Sequence, residues 1–264
     1  TLYFTLIAAI SIFCVLITYK KHSCSLVLSV FLFIASADYI QWNYNGMRQF
    51  IAVSIAFAAT DWLLEKKYFK YILLILFLST IHASVLIMLP IGFIVQGRAW
   101  NFKTVVLTLG ALLAINYSNI TIELITDFME DTQYRGEVGQ FLETEGTNIL
   151  RVLVFCIPPA FALLWRRWID KADSKLVNLA TNMSIVSMGA YLVSAVTSGI
   201  FVGRVPIYFS LYNYILLPWL VENLFEERAQ KIVYVVIIIC YLIFYYYHIF
   251  HFTCIHKIPP KSFI

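Results

Sequence analysis

Long apolar runs recur along the chain, each closed by a short polar or charged break. They cover residues 2–19, 24–40, 47–64, 71–95, 104–121, 149–165, 176–201, 205–221 and 232–250. A helix that crosses a bilayer needs about 20 apolar residues. In lipid, only structures that satisfy their own backbone hydrogen bonds persist. The pattern therefore predicts an all-α, polytopic integral membrane protein with about nine apolar segments, forming one transmembrane domain over residues 1–264.

The breaks between runs give the orientation. Lys20/Lys21, Lys66/Lys67/Lys70, Arg98/Lys103, Arg166/Arg167/Lys171/Lys175 and Arg228/Lys231 hold 13 of the 19 basic residues. Placing those five loops in the cytoplasm satisfies the bias of Lys and Arg toward that side. The stretch 122–148 carries seven acids against one base, Arg135, and reads as an extracytoplasmic loop. Loops longer than about 15 residues are usually functional or disordered.

This assignment leaves a parity problem. Residues 66–70 and 98–103 both belong on the cytoplasmic side, yet only the segment 71–95 separates them. The charge pattern therefore predicts that 71–95 is broken or re-entrant near His82, entering and leaving on one side. Half of such a segment, about 12 residues at 1.5 Å each, reaches roughly 18 Å, over half of a core of about 30 Å. A break of this kind is tolerated where protein or a polar cavity surrounds it. One tilted helix kinked at Pro90 is the alternative.

Composition agrees with the pattern. The 264 residues are 61% hydrophobic and 13% charged, about half the charge of an ordinary soluble domain, with a mean hydropathy of +0.80. The net charge of +4 is spread over short loops and forms no nucleic-acid patch. The five cysteines show no metal-ligand or CxxC spacing and read as core or lipid-facing residues. No HExxH, Walker-type loop or GxSxG is present, so no metal and no cofactor is expected. Thr1 already lies inside an apolar run, which raises the expectation of further spans ahead of it.

Against this background a few polar residues stand out on the predicted outer face. Arg48 opens the run 47–64 beside Gln49, Asn43 and Asn45. Arginine binds phosphate bidentately and helix N-termini favour anions, so the cluster suits an anion or a sugar; an arginine snorkelling to headgroups is the plainer reading. Arg204 lies in Gly203-Arg204-Val205-Pro206, ahead of Tyr208, Phe209, Tyr212 and Tyr214. A cation with aromatic rings fits a glycan or a diphosphate, while the rings alone fit an interface belt. His82, two residues before Ser84, is placed to act as a general base or to bond a substrate, or else to close the helix break. Tyr134 and Arg135 could close as a lid within a solvated acidic loop. Arg151 begins the run 149–165 on the same face.

The blocks Asn45-Gly46-Met47-Arg48-Gln49, Ile51-Ala52-Val53-Ser54, Lys66-Lys67-Tyr68-Phe69-Lys70, His82-Ala83-Ser84, Leu89-Pro90, Gly203-Arg204-Val205-Pro206-Ile207-Tyr208-Phe209 and Leu216-Leu217-Pro218 occur in an order that resembles the EpsG/Wzy-type bacterial polysaccharide polymerases. The resemblance covers roughly residues 1–225; the family's Gly-x-Asp-Tyr motif is the one part not found. It implies a multi-pass glycosyltransferase of the bacterial inner membrane that polymerises undecaprenyl-diphosphate-linked repeat units on the periplasmic face. Arg48, Arg204 and His82 would then be catalytic. Asn45, Gln49, Tyr134, Arg135, Arg151 and Tyr208 would bind substrate. Such an enzyme needs no metal, and its partners would be membrane lipid and members of an export pathway such as a flippase and a chain-length regulator. The alternatives are a flippase for lipid-linked oligosaccharide and a non-catalytic subunit of an export complex. A transporter would more often show inverted repeats and midplane charges; here the polar residues gather at one face.

Overall fold

The computed structural model describes residues 2–37, 42–43, 46–114, 146–197 and 202–255. Every regular element among them is helical: α1 (Leu2–His22), α2 (Leu26–Ala35), α3 (Met47–Ala58), α4 (Thr60–Leu64), α5 (Tyr68–Ser79), α6 (Met88–Ile94), α7 (Phe102–Ala114), α8 (Ile149–Leu164), α9 (Arg166–Ala172), α10 (Lys175–Val196), α11 (Ile207–Ser210), α12 (Asn213–Leu224) and α13 (Glu227–Ile255). Two 3₁₀ turns, Ala83–Ile87 and Val202–Arg204, complete the list. By length and composition α1, α10 and residues Glu227–Phe250 of α13 suffice to cross a bilayer, and α8 with α9, bent by 72°, makes a fourth.

Among the described residues the other helices are shorter, so three to four spans are shown where the apolar pattern predicts about nine segments. Hydroxyl groups explain two of the breaks. At the end of α3, Thr60 Oγ1 donates to the Phe57 carbonyl at 2.5 Å and meets Tyr212 Oη at 2.9 Å. The run 47–64 therefore divides at Ala59. At the end of α5, the hydroxyls of Ser79 and Thr80 each donate at 2.7 Å to carbonyls three residues back. Side chains that bond the local backbone in this way compete with helix continuation.

The break in 71–95 falls at residues 80–82, with His82 extended (φ −152°, ψ 112°). Pro90 instead sits in the first turn of α6, where its missing N–H costs nothing. The two ends of the segment lie side by side. The Tyr68 and Phe93 rings are 4.9 Å apart, and a Cβ added to Gly92 would stand 3.3 Å from the Tyr71 ring. The segment is thus a hairpin with His82 at its tip, not one kinked helix.

Buried aromatic rings join α1, α2, α3 and α12. Tyr19 contacts Phe33, Phe57 and Tyr214 edge-on, at ring separations of 5.5 to 6.5 Å, and its hydroxyl donates to the Leu211 carbonyl. Ser29 donates to the carbonyl of Tyr214 at 2.5 Å. α10 is the central helix, buried along most of its length and packed on α7, α8, α11 and α12. Its Asn182 is fully buried. It accepts from Trp100 N–H at 2.9 Å and donates to the carbonyls of Val95 and Arg98 at 2.9 and 3.0 Å. Asn178 accepts from Ala99 N–H at 3.0 Å. The base of the hairpin is fastened to α10 by these bonds.

Candidate functional site

α3 begins at Met47 after Gly46, whose φ of 137° favours glycine. This start exposes Arg48 and buries Gln49, which is 3% exposed. Gln49 Nε2 donates at 3.0 Å to the backbone carbonyl of Arg204, 155 residues away. The bond fixes the 3₁₀ turn carrying Arg204 beside the start of α3. α3 also packs on the 3₁₀ turn that follows His82 and on α11. The start of α3, the turn carrying Arg204 and the hairpin tip at His82 are consequently neighbours. Three residues from three distant stretches of the chain form one group.

The hairpin tip adds a hydrogen-bonded line. Ser84 Oγ lies 2.7 Å from His82 Nδ1 and 2.7 Å from Tyr208 Oη. Ser84 has one hydroxyl proton, so it can donate in only one of these directions at a time. With Nδ1–H donating to Ser84, the serine proton turns to Tyr208 and Nε2 is left with its lone pair. With Tyr208 donating to Ser84 and Ser84 to Nδ1, Nε2 carries the proton. The arrangement therefore supports either a base or an acid at Nε2, and the switch needs only hydroxyl rotations and one proton exchanged. Tyr208 is buried at 2% exposure, whereas Ser84 and Arg48 are exposed.

Arg151 belongs to a second group. It is 6% exposed, its guanidinium lies over the Phe155 and Tyr191 rings at 5.5 and 5.8 Å, and its Nη1 is 3.0 Å from His248 Nε2. His248, on α13, is a partner that spacing along the chain does not point to. Asn45, Tyr134 and Arg135 lie outside the described residues, as does most of the loop 122–148. Asp61 sits at the opposite end of α3–α4 from Arg48, paired with Lys21 at 2.5 Å and His22 at 3.3 Å. Among the described residues no cluster of three His, Cys, Asp or Glu side chains is placed to hold a metal ion.

Ser84 is the member of the site that residue-by-residue reading undervalues. Its only signal is the His-x-Ser spacing, which acquires meaning once a 3₁₀ turn brings residues i and i+2 together.

Long apolar helices and a helical hairpin with His82 at its tip, beside the segments carrying Arg48 and Arg204, define an integral membrane protein with a polar group at one end. The chain belongs to the EpsG family, whose family model matches residues 1–259. No curated protein and no solved structure matches it.

Proposed function

We propose that this protein is a glycosyltransferase that polymerises undecaprenyl-diphosphate-linked oligosaccharide repeat units on the outer face of the bacterial inner membrane. The observation that carries the reading is the meeting of the Arg48, Arg204 and His82 segments through the Gln49–Arg204 and Ser84–Tyr208 bonds. Family membership supports a polysaccharide polymerase, and the residues meet the demands of the chemistry. In the transfer, the acceptor hydroxyl oxygen forms a bond to the anomeric carbon of the growing chain. The bond from that carbon to the diphosphate oxygen breaks, and its electron pair stays on the diphosphate. Cations fixed beforehand beside that developing charge stabilise the transition state, the role assigned to Arg48 and Arg204. The acceptor proton passes to His82 Nε2, which is held as the base when Nδ1 donates to Ser84. Gln49 holds the Arg204 turn, and Tyr208 ends the relay. A flippase would supply the lipid-linked units and a chain-length regulator would act on the product.

The test is replacement of Arg48 or Arg204 by Ala in cells lacking their own copy, followed by gel analysis of the surface glycan. Single repeat units in place of a ladder are expected. Complete absence of surface glycan would indicate a flippase, and an unchanged ladder would remove both arginines from the site. Arg→Lys at either position should also abolish the ladder, because lysine is a point charge without the bidentate fork.

A further inference from the structure

At the opposite end of the hairpin from His82 lies a cavity of about 400 Å³, between the base of the hairpin and the start of α10. Its lining includes Lys66, Arg98 and Lys175, one cation from each of three separate segments, with Asp173, Gln96 and Asn178. Two neighbouring cations are paired, Lys67 with Glu65 and Arg166 with Asp170. Among the described residues Lys66, Arg98 and Lys175 form no ion pair, and Asp173 offsets only one of the three charges. Three like charges around one hollow repel each other, and an anion between them relieves that repulsion.

Two further features suit an anion there. Lys175 is the first residue of the 22-residue α10, so the positive end of a long helix dipole faces this region. The wall bearing Arg98 is also held in place, since Asn182 bonds the Val95 and Arg98 carbonyls and Asn178 bonds Ala99 N–H. Gln96 and Asn178 add amides to the lining. Basic pockets between membrane helices on the side rich in Lys and Arg suit lipid headgroups.

We propose that this cavity binds a phosphate-bearing anion, supplied by the headgroup of an anionic phospholipid or by a soluble phosphate ester. The site is separate from the His82 group and does not depend on the polymerase reading.

The experiment uses the full chain in nanodiscs of neutral phosphatidylcholine and follows thermal unfolding. Phosphatidylglycerol is added to the disc in one arm and glycerol 3-phosphate to the buffer, at constant ionic strength, in the other. The variants are R98Q/K175Q and, as a control from the same end but outside the cavity, R167Q/K171Q. Stabilisation by phosphatidylglycerol that is kept in the control and weakened about thirtyfold in apparent affinity in R98Q/K175Q, the effect of two interfacial cations, assigns the lipid source. The same pattern with glycerol 3-phosphate assigns the soluble source. No stabilisation in either arm, or equal weakening in the control, overturns the proposal. All four substituted side chains are exposed, so packing should survive. Should R98Q/K175Q fail to fold, native mass spectrometry of the wild type decides: after neutral-detergent extraction, retained phosphatidylglycerol or bound glycerol 3-phosphate supports the site, and neither being bound overturns it.

Discussion

Ser84→Ala isolates the proton relay from the rest of the site. The substitution deletes both 2.7 Å contacts of the serine hydroxyl, to His82 Nδ1 and to Tyr208 Oη. Ser84 is exposed, so little packing is lost and the melting temperature should hold. A hydrogen bond of this kind contributes about 1 kcal/mol, up to about 1.5. At 1.36 kcal/mol per factor of ten, losing the bond that fixes the imidazole slows transfer about fivefold to thirteenfold. Removing the base itself costs more: general-base catalysis contributes about 10²–10⁴, the fall expected for His82→Ala. The assay is in vitro extension of lipid-linked repeat units by the purified protein in nanodiscs, read as initial rates. Ser84→Ala should lower kcat with little change in KM, and Ser84→Thr, which keeps the hydroxyl, should recover most of the rate. In the His82→Ala background Ser84→Ala should add nothing. A full-strength Ser84→Ala effect in that background would show that Ser84 does not act through His82, and an unchanged rate in the single variant would remove the relay.

Three other outcomes follow from the fold. Asn182→Ala removes three hydrogen bonds from a fully buried side chain, each worth about 1 kcal/mol with a further penalty for the groups left unpaired; thermal unfolding should show a loss of about 3 kcal/mol or more. Gly146→Ala would place a Cβ 2.0 Å from the backbone oxygen of Ala195, beside the bond from Thr147 N–H to the Ser194 carbonyl; backbone must move, and a loss of about 1–3 kcal/mol should appear in the same measurement. Single cysteines placed at 66–70 and at 98–103 should react with an impermeant maleimide from the same side of the membrane, and opposite-side labelling would refute the hairpin.

The hairpin was legible because each crossing changes the side of the next loop: two basic loops flanking one apolar segment cannot both face the cytoplasm if that segment crosses once. The grouping of Arg48, Arg204 and His82 was legible for the same reason: Arg48 opens a run, Arg204 lies between two runs and His82 sits at the break, all at the same predicted face. The details that depend on rotation about a helix axis were hidden. Whether Tyr208 or another of the rings after Arg204 reaches Ser84 is decided by packing of α11 on α3, and hydropathy carries no such phase. The division of 47–64 was equally hidden, because one threonine hydroxyl bonded to a carbonyl and to Tyr212 hardly alters an apolar average. Arg151 reads as one more arginine of the outer face until α13 brings His248 to it. The bonds of Asn178 and Asn182 span 79 to 87 residues and leave no local mark.

One structural device connects these pieces. A broken helix in lipid leaves backbone groups without partners, and each costs several kcal/mol if nothing answers it. Here the Ser79 and Thr80 hydroxyls occupy carbonyls in the last turn of α5. The N–H groups of Thr80, Ile81 and His82 bond back to Phe77 and Leu78, and the His82 carbonyl accepts from Val85 N–H. The chain can therefore stop and turn at His82 without stranding its backbone, and the imidazole stays available for Ser84 and for the space beside Arg48 and Arg204. A continuous helix would point residue 82 according to its helical phase alone. The break lets the position of His82 be set by its neighbours, while Asn182 and Asn178 fix the hairpin base about 18 Å away, the length of a 12-residue α5. The role proposed for His82 uses that combination: a tip free to be placed by its neighbours, on a hairpin anchored at its other end.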